Sequence, residues 1–295
     1  MPRVPYVSAA AFRAYPTYLD TQGINLASSD PDAQTAQLTD LLLKSSAWAD
    51  SERDQPLGAH LHTQHERVFA GRDGLLKLHA DHGPVIEVVS VGYGYSPGAL
   101  TVLDQPTVWV EDDTNMVISL GSTGSVAWSG SLSFGSPAVG GDVFVQVLYV
   151  AGHVATVLDA DASQAATVIQ VQDPTGIMPG GTYRICEPGM EELIVVDPEW
   201  TPPAPSSTPL PVAVTLAQPL AFAHEAGHDV SRLPDDLRLA VVQHTTAQLL
   251  KPDTTAEDEF PDGASSSTRK DDSRTRGMGL LKEARRTLAN YGRVR

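Results

Sequence analysis

Cysteine is almost absent from this chain: Cys186 is the only one in 295 residues. A single thiol excludes a disulfide framework and any zinc site built on several cysteines. Long apolar runs are missing too, and none approaches the roughly 20 residues a membrane-spanning helix needs. The N-terminus, MPRVPYVSAAAFRAYP, has no apolar segment followed by a cleavage site. The expectation is a protein made and used in the cytoplasm, or in a particle assembled there, with no membrane partner. Several catalytic signatures are lacking: there is no P-loop, no G-x-S-x-G and no cysteine–histidine pair with a local signature. Gly92-Tyr93-Gly94 is followed by Gly98 and no helix, so it reads as a turn and not a dinucleotide loop. Basic residues are in deficit, 20 against 36 acidic ones, and the deficit is uneven. Residues 269–295 hold nine Lys and Arg against three acidic residues, a net of +6, which leaves −22 on the other 268. An acidic body disfavours wrapping on nucleic acid, while a basic tail suits an acidic partner surface.

What is present is a globular composition, 41% hydrophobic and 19% charged. Ser8 caps a short predicted helix, Ala9 to Tyr15, ended by Pro16. Asp30 followed by Pro31 has the form of an N-cap with proline at the first helical position. From there to Ala49, Leu38, Leu41, Leu42, Ser45, Ser46 and Trp48 recur at helical spacing. Between His60 and His228 the texture becomes β. Short runs such as VIEVVSVGYGY, TVWVEDD, MVISL, SVAWSGSLSF and DVFVQVLYV are separated by Gly, Pro, Asp and Ser. A second set, ATVIQVQ, TYRICE and MEELIVV, is punctuated by the turns Asp173-Pro174-Thr175-Gly176 and Glu187-Pro188-Gly189; the latter is a natural type II turn. Pro234 opens a further predicted helix that carries Asp235 and Asp236 in its first turn and ends at Lys251-Pro252. A polar linker over about 252–277 then leads to a short basic amphipathic helix, Gly279 to Tyr291.

His224-Glu225-Ala226-Gly227-His228 matches H-E-x-x-H, which on a helix would present two imidazoles to zinc with Glu225 as general base. A zinc-dependent hydrolase using His224 and His228 is therefore one alternative reading. Against it, Pro219 lies five residues upstream, Gly227 weakens a helix, and Pro234 and Ser231 occupy positions where the extended motif needs His and Gly. The stretch reads better as a strand-to-helix connector with two solvated histidines. Five other histidines lie close together, His60, His62, His65, His79 and His82. Alternation puts His60 and His62 on one side of a strand, and the Asp73-Gly74 turn can bring His79 and His82 across from them. No carboxylate or cysteine completes a set, so solvated sheet histidines are the expectation and metal binding the alternative. Trp109 and Trp128 in β runs offer a sugar platform, the basis of a third reading as a carbohydrate-binding virion protein, although rings of this kind more often pack in cores.

The end helices are each too short to bury their apolar faces alone. The expected fold is therefore α+β: a discontinuous small helical domain from both chain ends (1–58 and 233–295), a large all-β insertion (59–157), a second small β module (158–232) and a basic C-terminal tail. The spacing Leu38-x3-Leu42-x2-Ser45-Ser46-x-Trp48-Ala49-Asp50, the run Pro84-Val85-Ile86-x-Val88 and the helix start Leu233-Pro234-x2-Leu237-x2-Ala240 resemble the head–tail connector (adaptor) proteins of tailed bacteriophages. The short helix after a linker is similar too, and the long β insertion departs from compact members of that family. The resemblance implies a non-enzymatic virion subunit without cofactor, which forms a dodecameric homo-oligomeric ring beneath the portal protein. Such a ring extends the DNA channel without sequence-specific binding and offers a platform to the next neck or tail completion protein. The terminal helix is then the expected docking element, with Leu280, Ala284, Leu288 and Tyr291 as its apolar stripe and Arg285 and Arg286 as its charged heads. Its deletion is expected to weaken portal attachment more than the fold.

Overall fold

In the computed structural model the described residues are 4–17, 19, 21, 29–70, 75–103, 107–119, 142–206, 208, 210–250 and 270–291. The molecule mixes helices with antiparallel sheets, so the α+β class stands. It divides into two compact units: Met1–Gly58, His153–Pro203 and Pro209–Arg295 form one, and Ala59–Gly152 with Ala204–Thr208 the other.

In the first unit, α1 (Ala9–Ala14) is capped by Ser8, whose hydroxyl accepts from the Ala11 N–H. Helix α2 (Pro31–Arg53) has Asp30 as its N-cap and ends at Asp54, in the left-handed region. It runs a turn beyond Ala49. Helix α3 (Asp235–Leu250) begins one residue after Pro234, whose carbonyl accepts the Arg238 N–H. Helix α4 (Lys270–Leu288) continues into a short 3-10 turn, Ala289–Tyr291. Its start at Lys270 corrects the expected boundary: the last eight residues of the proposed 252–277 linker are helical, despite Gly277 and Gly279. These helices share one core that contains Phe12, Leu38, Leu42, Ala49, Leu237, Ala240, Val241, Ala284 and Leu288.

The residues between α2 and α3 do not divide as expected. Strand β8 (Ala155–Val157) pairs with β13 (Asp229–Ser231), which leads directly into α3. β13 also pairs with β10 (Thr182–Cys186), and β10 with β11 (Glu192–Val195); a separate pair joins β9 (Val168–Val171) to β12 (Val212–Thr215). The β module placed at 158–232 thus belongs to the helical unit, and the insertion ends at Gly152 instead of 157. The predicted turns are formed. Gly189 has φ +83° and the Met190 N–H closes onto the Glu187 carbonyl.

The second unit has two antiparallel sheets. One has the order β1-β7-β3-β4, from His60–Phe69, Asp142–Ala151, Val85–Ser96 and Ala99–Val102. The other has the order β2-β6-β5, from Leu75–His79, Asn115–Ser119 and Thr107–Glu111. Alternation decides what faces inward. Val143, Val145, Val147 and Tyr149 of β7 join Val68, Leu76, Leu78, Val91, Met116 and Ile118 in one core. The run SVAWSGSLSF lies outside the described residues.

Candidate functional site

The H-E-x-x-H stretch is not helical. His224 is strapped to Ala162 by two backbone hydrogen bonds of 2.8 Å, and the Gly227 N–H reaches the Leu158 carbonyl at 2.8 Å. Gly227 has φ +85°, a conformation glycine adopts without strain and one that ends any helical path from His224 to His228. Glu225, the residue a hydrolase would use as base, is exposed. The two histidines are buried, which corrects the expectation of solvated rings. The Glu187-Pro188-Gly189 turn supplies the reason: it aims Glu187 inward, where its Oε2 lies 2.7 Å from His224 Nδ1 and its Oε1 3.5 Å from His228 Nε2. Glu192 Oε1 lies 3.6 Å from His224 Nε2 on the other side. A buried carboxylate is costly unless paired, so the imidazoles and Glu187 stabilise one another. The arrangement fastens the connector to β10 and β11 and does not display two ligands from one helix face.

The residue that follows, Asp229, was not singled out by any motif. It is buried, and its two oxygens serve different elements: Oδ1 accepts the Ser8 N–H at 2.8 Å and Oδ2 accepts from Arg238 Nη2 at 2.7 Å. One side chain on β13 therefore ties the start of α1 to α3. Burial pushes its carboxyl above the ordinary aspartate value, and Arg238 and the Ser8 amide only partly offset this. Arg238 also reaches Cys186 Sγ at 3.2 Å, and burial pushes that thiol up. Arg184 pairs with Asp235. Arg184, Cys186, Asp235 and Arg238 line a concavity of about 610 Å³ together with Val7, Tyr15 and Leu239. Its two guanidinium groups already have carboxylate partners.

The segment of the resemblance is fully used inside the helical unit. Ser45 Oγ lies 2.9 Å from His244 Nδ1, and Trp48 stacks on the His244 ring at 4.0 Å. Ser46 Oγ accepts the Tyr6 N–H at 3.0 Å. Asp50 Oδ1 accepts both the Tyr6 hydroxyl at 2.5 Å and the Leu57 N–H at 3.0 Å. The Tyr6 hydroxyl in turn accepts the Gly58 N–H at 2.7 Å. Gly58 has to be glycine for this approach, because a Cβ there would lie 2.8 Å from the tyrosine ring.

The proposed docking helix is also used internally. Ala284 and Leu288 are fully buried in the core against α3. Arg285 Nε reaches Glu52 on α2 at 3.0 Å, and the Tyr291 hydroxyl donates to Asp236 at 2.5 Å; desolvation and that carboxylate push the phenol up to about 12. Leu280 is half-buried, and Arg286 is exposed and paired with Glu283 on its own helix. The stripe read as a partner surface is thus largely the inner face of this chain.

Of the five clustered histidines, the structure brings three together. Side-chain donor atoms of His60, His62 and His82 all lie within 4.8 Å of one another, the one group of three or more possible metal ligands among the described residues that is so arranged. His65 is exposed, and His79 Nδ1 lies 3.0 Å from Asn115 Oδ1, away from the others. Trp109 is 40% exposed with its indole N–H on Glu111, and Trp128 lies outside the described residues. No helix is long and apolar enough to cross a membrane among the described residues.

Comparison with family models, curated proteins and solved structures gives no match. Function therefore rests on the residues themselves.

Proposed function

We propose that this protein is a structural, non-enzymatic subunit of a phage head–tail connector, a discontinuous helical adaptor domain with a β insertion. It would assemble as a homo-oligomeric ring beneath the portal, with DNA passing through the lumen, and would dock the next neck or tail protein in the virion. One observation carries this reading: the residues of the resemblance from the two end segments, far apart in the chain, converge on one core, while Val85 of its middle run packs in the core of the β unit. Ser45, Ser46, Trp48, Ala49 and Asp50 organise α2 against Tyr6 and His244, while Leu233, Leu237 and Ala240 bring α3 into the same core as Leu38 and Leu42. A ring subunit needs a rigid body with two complementary lateral faces, and the polar contacts inside this core supply rigidity. The strongly acidic body suits a conduit, because neutralising phosphates is what makes DNA stick. With Ala284 and Leu288 turned inward, docking to the portal falls to the charged outer face of α4, Lys282 and Arg286 among it. Electron microscopy of the purified chain, alone and mixed with the portal of the same virus, tests the proposal. Rings, or a ring seated on the portal, are expected; a chain that stays monomeric in both preparations overturns it.

A further inference from the structure

We propose that His60, His62 and His82 form a binding site for a divalent transition-metal cation of the zinc class. The site is independent of the connector reading. It is assembled by sheet geometry: β1 alternates, so His60 and His62 lie on the same face as Gln64 and Val68, the face turned to the core of the β unit. His82 comes from the loop between β2 and β3. All three rings are half-buried, where solvated surface histidines had been expected.

That loop is held in place by buried polar groups. The Tyr149 hydroxyl accepts the His82 N–H at 3.1 Å and donates to Gln64 Oε1 at 3.2 Å. Gln64 Oε1 also accepts the Asp81 N–H at 3.0 Å, and its Nε2 donates to the His79 carbonyl at 2.8 Å. Both residues are buried, and the Tyr149 ring also lies edge-on to His62, 5.5 Å between centroids. The backbone bearing His82 is therefore fixed relative to the strand bearing the other two, before any cation arrives. Ligands held by a supporting set of hydrogen bonds lose less freedom on binding, and such supports tune metal sites strongly.

The distances are ones a cation can gather, since all the ligand atoms lie within 4.8 Å of one another. Tetrahedral zinc at about 2.0–2.1 Å from each nitrogen sets neighbouring ligand atoms about 3.4 Å apart. His60 Nε2 and His82 Nδ1 are 2.8 Å apart. A cation would part that pair by about half an ångström, within reach of small side-chain rotations. Neutral imidazoles suit zinc and its neighbours and not the hard oxygen-seeking ions. Three of them leave one position of the four for water. The ion would clip the His82 loop to β1.

The test uses the full chain, stripped with a chelator and then titrated with Zn²⁺ or Co²⁺. One equivalent of zinc retained per chain, with the visible absorption of a four-coordinate centre from Co²⁺, is expected. His62→Asn and His82→Asn should each lose that equivalent, while His65→Asn, His79→Asn and His228→Asn should keep it. Circular dichroism checks that the variants fold, and a zinc-dependent rise in the Tm of the unaltered chain reads binding without any variant. No stoichiometric metal and no Tm rise would overturn the site; so would metal that survives both His62→Asn and His82→Asn, or that is lost with His228→Asn.

Discussion

Two regions of this chain carry paired histidines, and they behave in opposite ways. The H-E-x-x-H stretch has the stronger motif, yet its rings are engaged by Glu187 in a neighbouring turn and Glu192 on the strand after it, and its glutamate is exposed. The His60–His82 group has no motif, yet three of its rings meet around one point. The difference lies in what each backbone does. A zinc helix needs ligands one turn apart on one face, and Gly227 at φ +85° breaks that path. A strand needs only alternate residues, and a fixed loop can bring the third ligand to them. A motif is worth what its backbone permits.

The sharpest way to probe this contrast is beside the motif. Asp229→Ala would strand Arg238 and the Ser8 amide, and should cost about 3 kcal/mol or more of unfolding free energy, as measured by denaturant titration. Leu288→Ala should come next, at about 2–4 kcal/mol, because it opens a cavity in the core against α3. That outcome would also settle whether α4 is an internal helix or a free docking tail, since a tail tolerates the change. Glu187→Gln, which removes the carboxylate between the two buried rings, should cost about 1–3 kcal/mol. A value near zero would mean that the connector's histidines are held by backbone alone. Glu225→Ala should be the smallest, within about 0.5 kcal/mol, as for other exposed sites; a large loss there would revive a role for the motif's glutamate.

Acidity gives a further reading on Asp229. Burial holds its carboxyl above the ordinary value of 3.8. A raised acid contributes stability that is fully present below the unfolded value and is lost as pH rises through the folded one. The stability gap between the native chain and Asp229→Asn should therefore widen as pH falls from neutrality toward 3.8. Unfolding midpoints across that window check the sign.

Much of the architecture is legible along the chain because its signals are local. Ser8, Asp30-Pro31 and the Glu187-Pro188-Gly189 turn announce themselves within a few residues, and the alternation of Val143, Val145, Val147 and Tyr149 gives the inner face of β7 directly. What escaped reading depends on distant partners. His224 is buried because a glutamate 37 residues earlier faces it, and Asp229 matters because of an amide 221 residues away. Helix α4 begins at Lys270 although Gly277 and Gly279 break its local pattern. The stripe of Leu280, Ala284, Leu288 and Tyr291 was recognisable as a packing face, but periodicity alone cannot say whether the packed partner is another chain or the same one.

The Ser8–Asp229 contact also has a consequence for the order in which the molecule is made. At about 5–20 residues per second, the ribosome delivers Asp229 roughly 10–45 seconds after Ser8. The strands of the β unit, by contrast, are all present once Ala151 has emerged. Helix α1 is thus made well before its anchor, and every strand of the β unit is synthesised in the interval.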